Sequence, residues 1–128
     1  MRVLLDTHAF LWWTTNNPQL SDRARQVIAD PDNSIYVSAA SAWEIATKQR
    51  IGKLKGVPDA TTRFSELVAA DGFGHLPITH LHALRSGGFK VTHRDPFDRM
   101  LAAQSEIERL PLLTCDPAFA QFSIETDW

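Results

Sequence analysis

What most constrains this chain is an alternation: short apolar runs stop at a polar residue and hand over at once to segments of helical period. Arg2-Val3-Leu4-Leu5 reads as a buried strand ending at Asp6, and Thr7 to Thr14 as a helix closed by the Asn16-Asn17-Pro18 turn. Ser21 caps a helix through Ala29 with Ala24, Val27 and Ile28 inward, and Asp30-Pro31-Asp32-Asn33 breaks it. Ser34 to Val37 is the next strand. Ser38 then caps a helix that runs to Arg50 or Ile51 and ends at Gly52, with Glu44 in its interior. A further helix is expected after Pro58, capped by Asp59 and reaching Ala70, followed by a strand over Phe73 to Ile78. Thr79 caps a short helix carrying Leu81 and Leu84 that stops at Gly87-Gly88, and an exposed connection leads to His93. Asp95-Pro96 opens the longest helix, whose Phe97, Met100, Leu101, Gln104 and Ile107 repeat at i, i+3, i+4 before Pro111. Leu112-Leu113-Thr114 is a fourth strand, Asp116-Pro117 opens a last short helix, and Phe122 to Thr126 is expected as an edge strand. Strands alternating with helices predict an α/β fold: one domain over residues 1–128, with a central, mainly parallel sheet of four to five short strands flanked by helices.

At 128 residues a folded chain buries roughly 65–70% of the surface it exposes when unfolded, so its core needs no disulfide or structural metal. The single cysteine, Cys115, excludes an internal disulfide and a zinc finger and points to a reducing compartment. The longest apolar run, Ala9 to Trp13, is far short of a membrane span, and the N-terminus has no signal-peptide layout, so a cytoplasmic protein without membrane attachment is expected.

Strand ends are where open α/β sheets bind ligands, and helix N-termini point free N–H groups at the same crevice. Asp6 and Asp116 each follow a strand and precede a helix, Asp98 lies in the first turn of the helix opened by Asp95-Pro96, and Glu44 lies in the second turn of its own. Each has a structural explanation when taken alone. Asp6, Asp95 and Asp116 suit N-caps, Asp98 suits the helix dipole, and Glu44 suits a wet helix face. Taken together, carboxylates converging on one cleft repel each other, and a hard divalent cation such as Mg²⁺ removes that cost. In phosphodiester hydrolysis such an ion activates water, so no nucleophilic side chain is needed, and the chain carries no nucleophile signature.

The five histidines, His8, His75, His80, His82 and His93, include no zincin pair, and His80 and His82 read as surface or half-buried helix residues. Trp12, Trp13, Trp43 and Trp128 read first as core. The first helix is apolar almost all round, which suits Trp12 or Trp13 for facing a partner. Net charge is −2, but residues 48–99 hold nine basic and five acidic groups. Within them Lys48, Arg50, Lys53 and Lys55 form a run that suits either a solvated helix end or phosphates.

Leu5-Asp6-Thr7-His8, Ser41-Ala42-Trp43-Glu44-Ile45, the segment His93-Arg94-Asp95-Pro96-Phe97-Asp98-Arg99 through Gln104, and Thr114-Cys115-Asp116, in that order and spacing, resemble the PIN-domain nucleases. The resemblance spans nearly the whole chain and is specifically to the VapC-type toxin ribonucleases of toxin–antitoxin pairs. It implies that Asp6, Glu44, Asp98 and Asp116 are an acidic quartet that holds Mg²⁺, or Mn²⁺ in its place, for endonucleolytic cleavage of RNA. Asp6 and Asp98 look most like direct ligands, while Glu44 and Asp116 either bind a second ion, act through water or orient the nucleophile. Thr114 adds a hydroxyl, Arg99 steers phosphate or pairs with a carboxylate, Asp95 is assigned to capping, and the run Lys48, Arg50, Lys53 and Lys55 becomes the candidate for contact with RNA. The resemblance also implies a cognate antitoxin that blocks the site and a homodimer. Two other readings compete. A haloacid-dehalogenase-type phosphatase wants a second Asp two residues beyond the first, where His8 stands. A non-catalytic RNA-binding or protein-interaction module on a PIN scaffold would not depend on its acids or on metal.

Overall fold

The computed structural model describes residues 1–128, in which five short strands form one sheet of order β3-β2-β1-β4-β5 with every pairing parallel. The elements run β1 (Arg2–Leu5), α1 (Thr7–Thr14), α2 (Asp22–Ala29), β2 (Ser34–Ser38), α3 (Ala39–Arg50), α4 (Phe64–Ala70), β3 (Gly74–Leu76), α5 (His80–Gly88), α6 (Pro96–Glu108), β4 (Leu112–Leu113) and β5 (Thr126–Asp127). A 3-10 helix, Pro117–Gln121, lies between β4 and β5. The α/β alternation predicted above is therefore present in full. Strand β1 sits at the centre, with Val3, Leu4 and Leu5 almost wholly buried, because a parallel strand is covered by helices on both faces.

The pleat of β1 divides the interior in two. Val3 and Leu5 face a cluster with Phe10 and Ala9 of α1, Val27 and Ile28 of α2, and Ile45 of α3. Leu4 faces the opposite cluster, where Met100, Leu101 and Ala103 of α6 pack with Leu112, Phe119 and Phe122. The strand that ends at the candidate site is thus gripped on both faces one residue before it.

Cap chemistry sets the helix starts. Ser21, Ser38, Thr79 and Asp95 each accept a backbone N–H of the first turn, as their residue types predict. Helix α4 departs from expectation: it starts at Phe64 after Arg63, with no side-chain cap, and residues 58–63 form turns. Asp59 instead accepts the Arg63 N–H on its backbone oxygen at 3.0 Å, closing an isolated turn ahead of the helix. Gly72 ends α4 with φ +70, a conformation that disfavours a side chain. The third strand covers Gly74–Leu76 rather than Phe73 to Ile78. The edge strand is Thr126–Asp127 rather than Phe122 to Thr126, because Phe122 turns inward to the core.

Burial corrects several side-chain readings. Leu81 and Leu84 point outward from α5, while His82, read as surface or half-buried, is 1% exposed. Its Nδ1 accepts the Thr79 N–H at 3.0 Å and its Nε2 meets Glu108 at 2.9 Å, so it pins α5 to α6. Of the four tryptophans read as core, Trp12, Trp13 and Trp128 are half-buried and pack against the cluster that holds Phe10, while Trp43 is 51% exposed. Phe89, placed in an expected exposed connection, is buried against Phe122. No helix is long and apolar enough to cross a membrane.

Candidate active site

Asp6 is the first residue past β1 and the N-cap of α1. One of its carboxylate oxygens accepts the Ala9 N–H at 2.7 Å, and the other accepts the Thr114 hydroxyl. Thr114, the first residue past β4, accepts the Asp116 N–H on that same hydroxyl at 3.1 Å. Two neighbouring parallel strands thus deliver a linked pair of acids to one edge of the sheet. Asp116 also caps the 3-10 helix through one oxygen, leaving the other without a protein partner.

Glu44 arrives from α3. It is only 6% exposed, which overturns the reading of a wet-face glutamate, and its Oε2 is bonded by Lys48 one turn later at 3.0 Å. A buried bond from Thr7 to Ser41, 2.9 Å, holds α1 against α3 at this level. Asp98 comes from the first turn of α6. Its Oδ2 faces His93 Nε2 at 2.8 Å, a partner that the sequence left undefined because His93 lies in an irregular segment. Asp95 caps α6 as expected, accepting the N–H groups of Phe97 and Asp98. Asp6, Glu44, Asp98 and Asp116, with Thr7, His8, Lys48 and Asp95, line one pocket of about 100 Å³ that contains no apolar residue.

This crowding is visible in the electrostatics. Burial raises the Asp6 carboxyl above the ordinary 3.8, against the opposing bonds from Thr114 and Ala9 and the nearby His8, and the Glu44 charge adds to the rise. Burial pushes Asp98 up to about 6; its bond to His93 opposes the shift, while the Asp95 and Glu44 charges reinforce it. These two acids therefore resist carrying charge in the protein alone. A cation relieves that, and the donor set is oxygen throughout, which suits a hard divalent ion. No three His, Cys, Asp or Glu groups are placed together so as to hold a metal ion. Mg²⁺ does not require three, because it is commonly held by one or two carboxylates and keeps several waters.

Other sequence candidates lie elsewhere. Arg99 does not reach the acids; its guanidinium donates to the backbone oxygens of Ser86, Phe89 and His93 and braces the segment before α6. Trp13 packs on Phe73 and donates its indole N–H to Asp71, while Trp12 lines a separate groove beside Lys53 and Lys55. Arg50 is exposed at the end of α3. The i, i+4 spacing of Glu44 and Lys48 is the one signal that foretells their pairing.

Residues 3–125 match the family model of the PIN domain. A curated relative, Ribonuclease VapC16 of Mycobacterium tuberculosis, is 36% identical over 61 residues, covering 48% of this chain and 43% of the relative, so less than half of that protein's length is matched. Among solved structures, VapBC2 from Rickettsia felis, bound to a DNA fragment from its promoter, superposes with a TM-score of 0.68 at 14% identity, covering 99% of this chain and 98% of that one. VapBC-1 from nontypeable Haemophilus influenzae gives 0.65 at 19% identity, covering 94% and 91%. At these identities the structural likeness speaks for the fold.

Proposed function

The chain belongs to the PIN domain family, and from that premise we propose that it is a metal-dependent endoribonuclease acting as the toxin of a toxin–antitoxin pair. The observation that carries this reading is the single pocket lined by Asp6, Glu44, Asp98 and Asp116, in which burial and mutual repulsion raise Asp6 and Asp98. Asp6 and Asp98 would hold Mg²⁺ or Mn²⁺, with Glu44 and Asp116 beside them. When bound, the ion would supply a Lewis acid for the phosphate oxygen and a lowered pKa for water.

The residues of the chain have separable tasks. Thr114 and the Ala9 N–H fix the Asp6 carboxylate, so its orientation is set before a ligand arrives. His93 does the same for Asp98. Lys48 balances Glu44 and presents a cation at the mouth of an otherwise acidic pocket, where an RNA phosphate must approach. Asp116 keeps one oxygen free to accept a proton from water or to bind through it.

The partner in this reading is a cognate antitoxin that covers the acidic pocket. The solved VapBC assemblies that share the fold support it, as does the name of the ribonuclease relative. A homodimer and an RNA substrate belong to the same proposal. The test is cleavage of a mixed cellular RNA pool by partner-free protein with Mg²⁺, with Mn²⁺ and with chelator, beside Asp98→Asn. Discrete products that require both metal and Asp98 are expected. Cleavage that persists in chelator, or in the variant, would refute the mechanism, and RNA left intact by demonstrably partner-free protein would favour a binding role.

A further inference from the structure

The acid pocket, at about 100 Å³, is much smaller than a groove of about 500 Å³ that opens beside it between the end of α1 and the loop after α3. Between them lies a cavity of about 60 Å³, which shares Thr7, His8, Glu44 and Lys48 with the acid pocket and His8, Leu11, Lys53 and Leu54 with the groove. The three form one path leading from the carboxylates to the groove. We infer that this groove is a nucleotide subsite for single-stranded RNA, in which a base next to the cleaved phosphate stacks on Trp12 and the backbone runs along Lys53 and Lys55. The inference rests on the ribonuclease reading above and adds where a nucleotide beside the cleaved phosphate lies.

Charge favours this occupant. No carboxylate lines the groove, and neither Lys53 nor Lys55 has an ion-pair partner, so two exposed cations are left to meet phosphates. The platform is preorganised, since Trp12 is half-buried and held edge-on by Trp128 at 5.8 Å, with His8, one turn earlier on α1, at 5.4 Å. At the far end, the Asn17 side-chain oxygen is engaged by the Gln19 N–H, leaving its amide N–H₂ to donate to a base edge. A paired base cannot reach such a platform, because its faces are stacked in the duplex; an aromatic next to unpaired cations therefore selects single strands.

The test uses the inactive Asp98→Asn protein with Mg²⁺ and a fluorescent 12-nucleotide single-stranded RNA of mixed sequence, with the matching 12-base-pair RNA duplex alongside. Affinity for the single strand should exceed that for the duplex, and adding Trp12→Ala should weaken it about tenfold. Trp12→Phe should retain most of the affinity, and Lys53→Glu with Lys55→Glu, on an exposed loop, should weaken binding without a change in melting temperature. Equal affinity for single strand and duplex, or unchanged affinity in both the Trp12→Ala and the lysine variants, overturns the subsite and leaves the groove to a protein partner. Cleavage by the parent protein is scored separately. A parent that cleaves RNA while the groove variants bind normally defeats this inference alone, whereas a parent that neither cleaves nor binds RNA defeats the ribonuclease reading with it.

Discussion

At the scale of single residues, Asp6 and Asp98 are held in a state that suits a cation and not the empty protein. Replacing a strained carboxylate by its amide should then separate function from stability. The rise of Asp98 from 3.8 to about 6 corresponds to about 3 kcal/mol of unfavourable free energy when the group is charged. Asp98→Asn is therefore expected to abolish cleavage yet to leave the metal-free protein at pH 7 as stable as the parent or more so, by up to about 3 kcal/mol in urea unfolding. A loss of stability in the Asp98→Asn variant would mean that the His93 bond outweighs desolvation. Thr114→Val should act in the opposite sense. It removes the hydroxyl that bonds Asp6 and receives the Asp116 N–H, costs about 1–2 kcal/mol, and weakens Mg²⁺ binding measured by calorimetry. The acids themselves were legible as residues, since each stands where a strand passes into a helix or in the first turns of one. Their partners were less so. His93 and Thr114 are brought in by irregular backbone and by strand pairing 108 residues apart, which no local pattern encodes.

At the scale of elements, local chemistry predicted where caps act alone and erred where tertiary contacts decide. Helix α1 begins and ends as Asp6 and the Asn16-Asn17-Pro18 turn require, and α6 starts at the residue that Asp95-Pro96 marks. Helix α4 is shorter than its apolar spacing suggested, because a proline followed by a capping acid can also close an isolated turn, as Asp59 does. In α5 the apolar Leu81 and Leu84 lie outward, and the buried face carries His82 and Ser86, with the histidine ring satisfied by the neighbouring helix and turn. Burial of a histidine that completes its own capping box depends on what lies opposite, here Glu108 and Gln104 of α6. Removing that pin with His82→Ala should cost about 2–4 kcal/mol in urea unfolding, through a cavity plus unpaired groups. Arg99 is a second brace of this kind. Its donors hold the carbonyls of residues 86, 89 and 93, so Arg99→Ala should lower stability by about 2–3 kcal/mol and speed amide exchange over residues 86–94, with His93 loosened from Asp98.

At the scale of the whole molecule, fold and site are coupled through protons and, on the proposed function, would be coupled through metal as well. The all-parallel sheet gathers the carboxyl ends of β1, β2 and β4 on one edge, and the helices that follow them bring Asp6, Glu44 and Asp116 to it, while α6 adds Asp98. Because Asp98 is raised in the folded state, the native chain binds more protons than the unfolded chain between about pH 4 and pH 6. Its contribution to stability therefore falls as pH rises through that window and stays lost above it; Asp6 acts in the same direction. The diagnostic quantity is the difference between parent and Asp98→Asn, in which the titration of groups common to both proteins cancels. That difference should open between about pH 4 and pH 6 in chelator, with the variant gaining on the parent, and stay constant to about pH 8. Mg²⁺ should reverse the order at neutral pH. A ligand at 100 times its Kd stabilises the native state by about 2.7 kcal/mol, which for a domain of this size raises the melting temperature by about 10 °C. The parent should show that gain at about pH 7.5 and lose about half of it at about pH 5, where Asp98 is protonated and competes with the ion, while Asp98→Asn should show little gain at either pH. A melting temperature that ignores Mg²⁺ at neutral pH, at concentrations that support cleavage, would mean that the carboxylates do not hold the ion and that their repulsion is relieved by Lys48 and His93 alone.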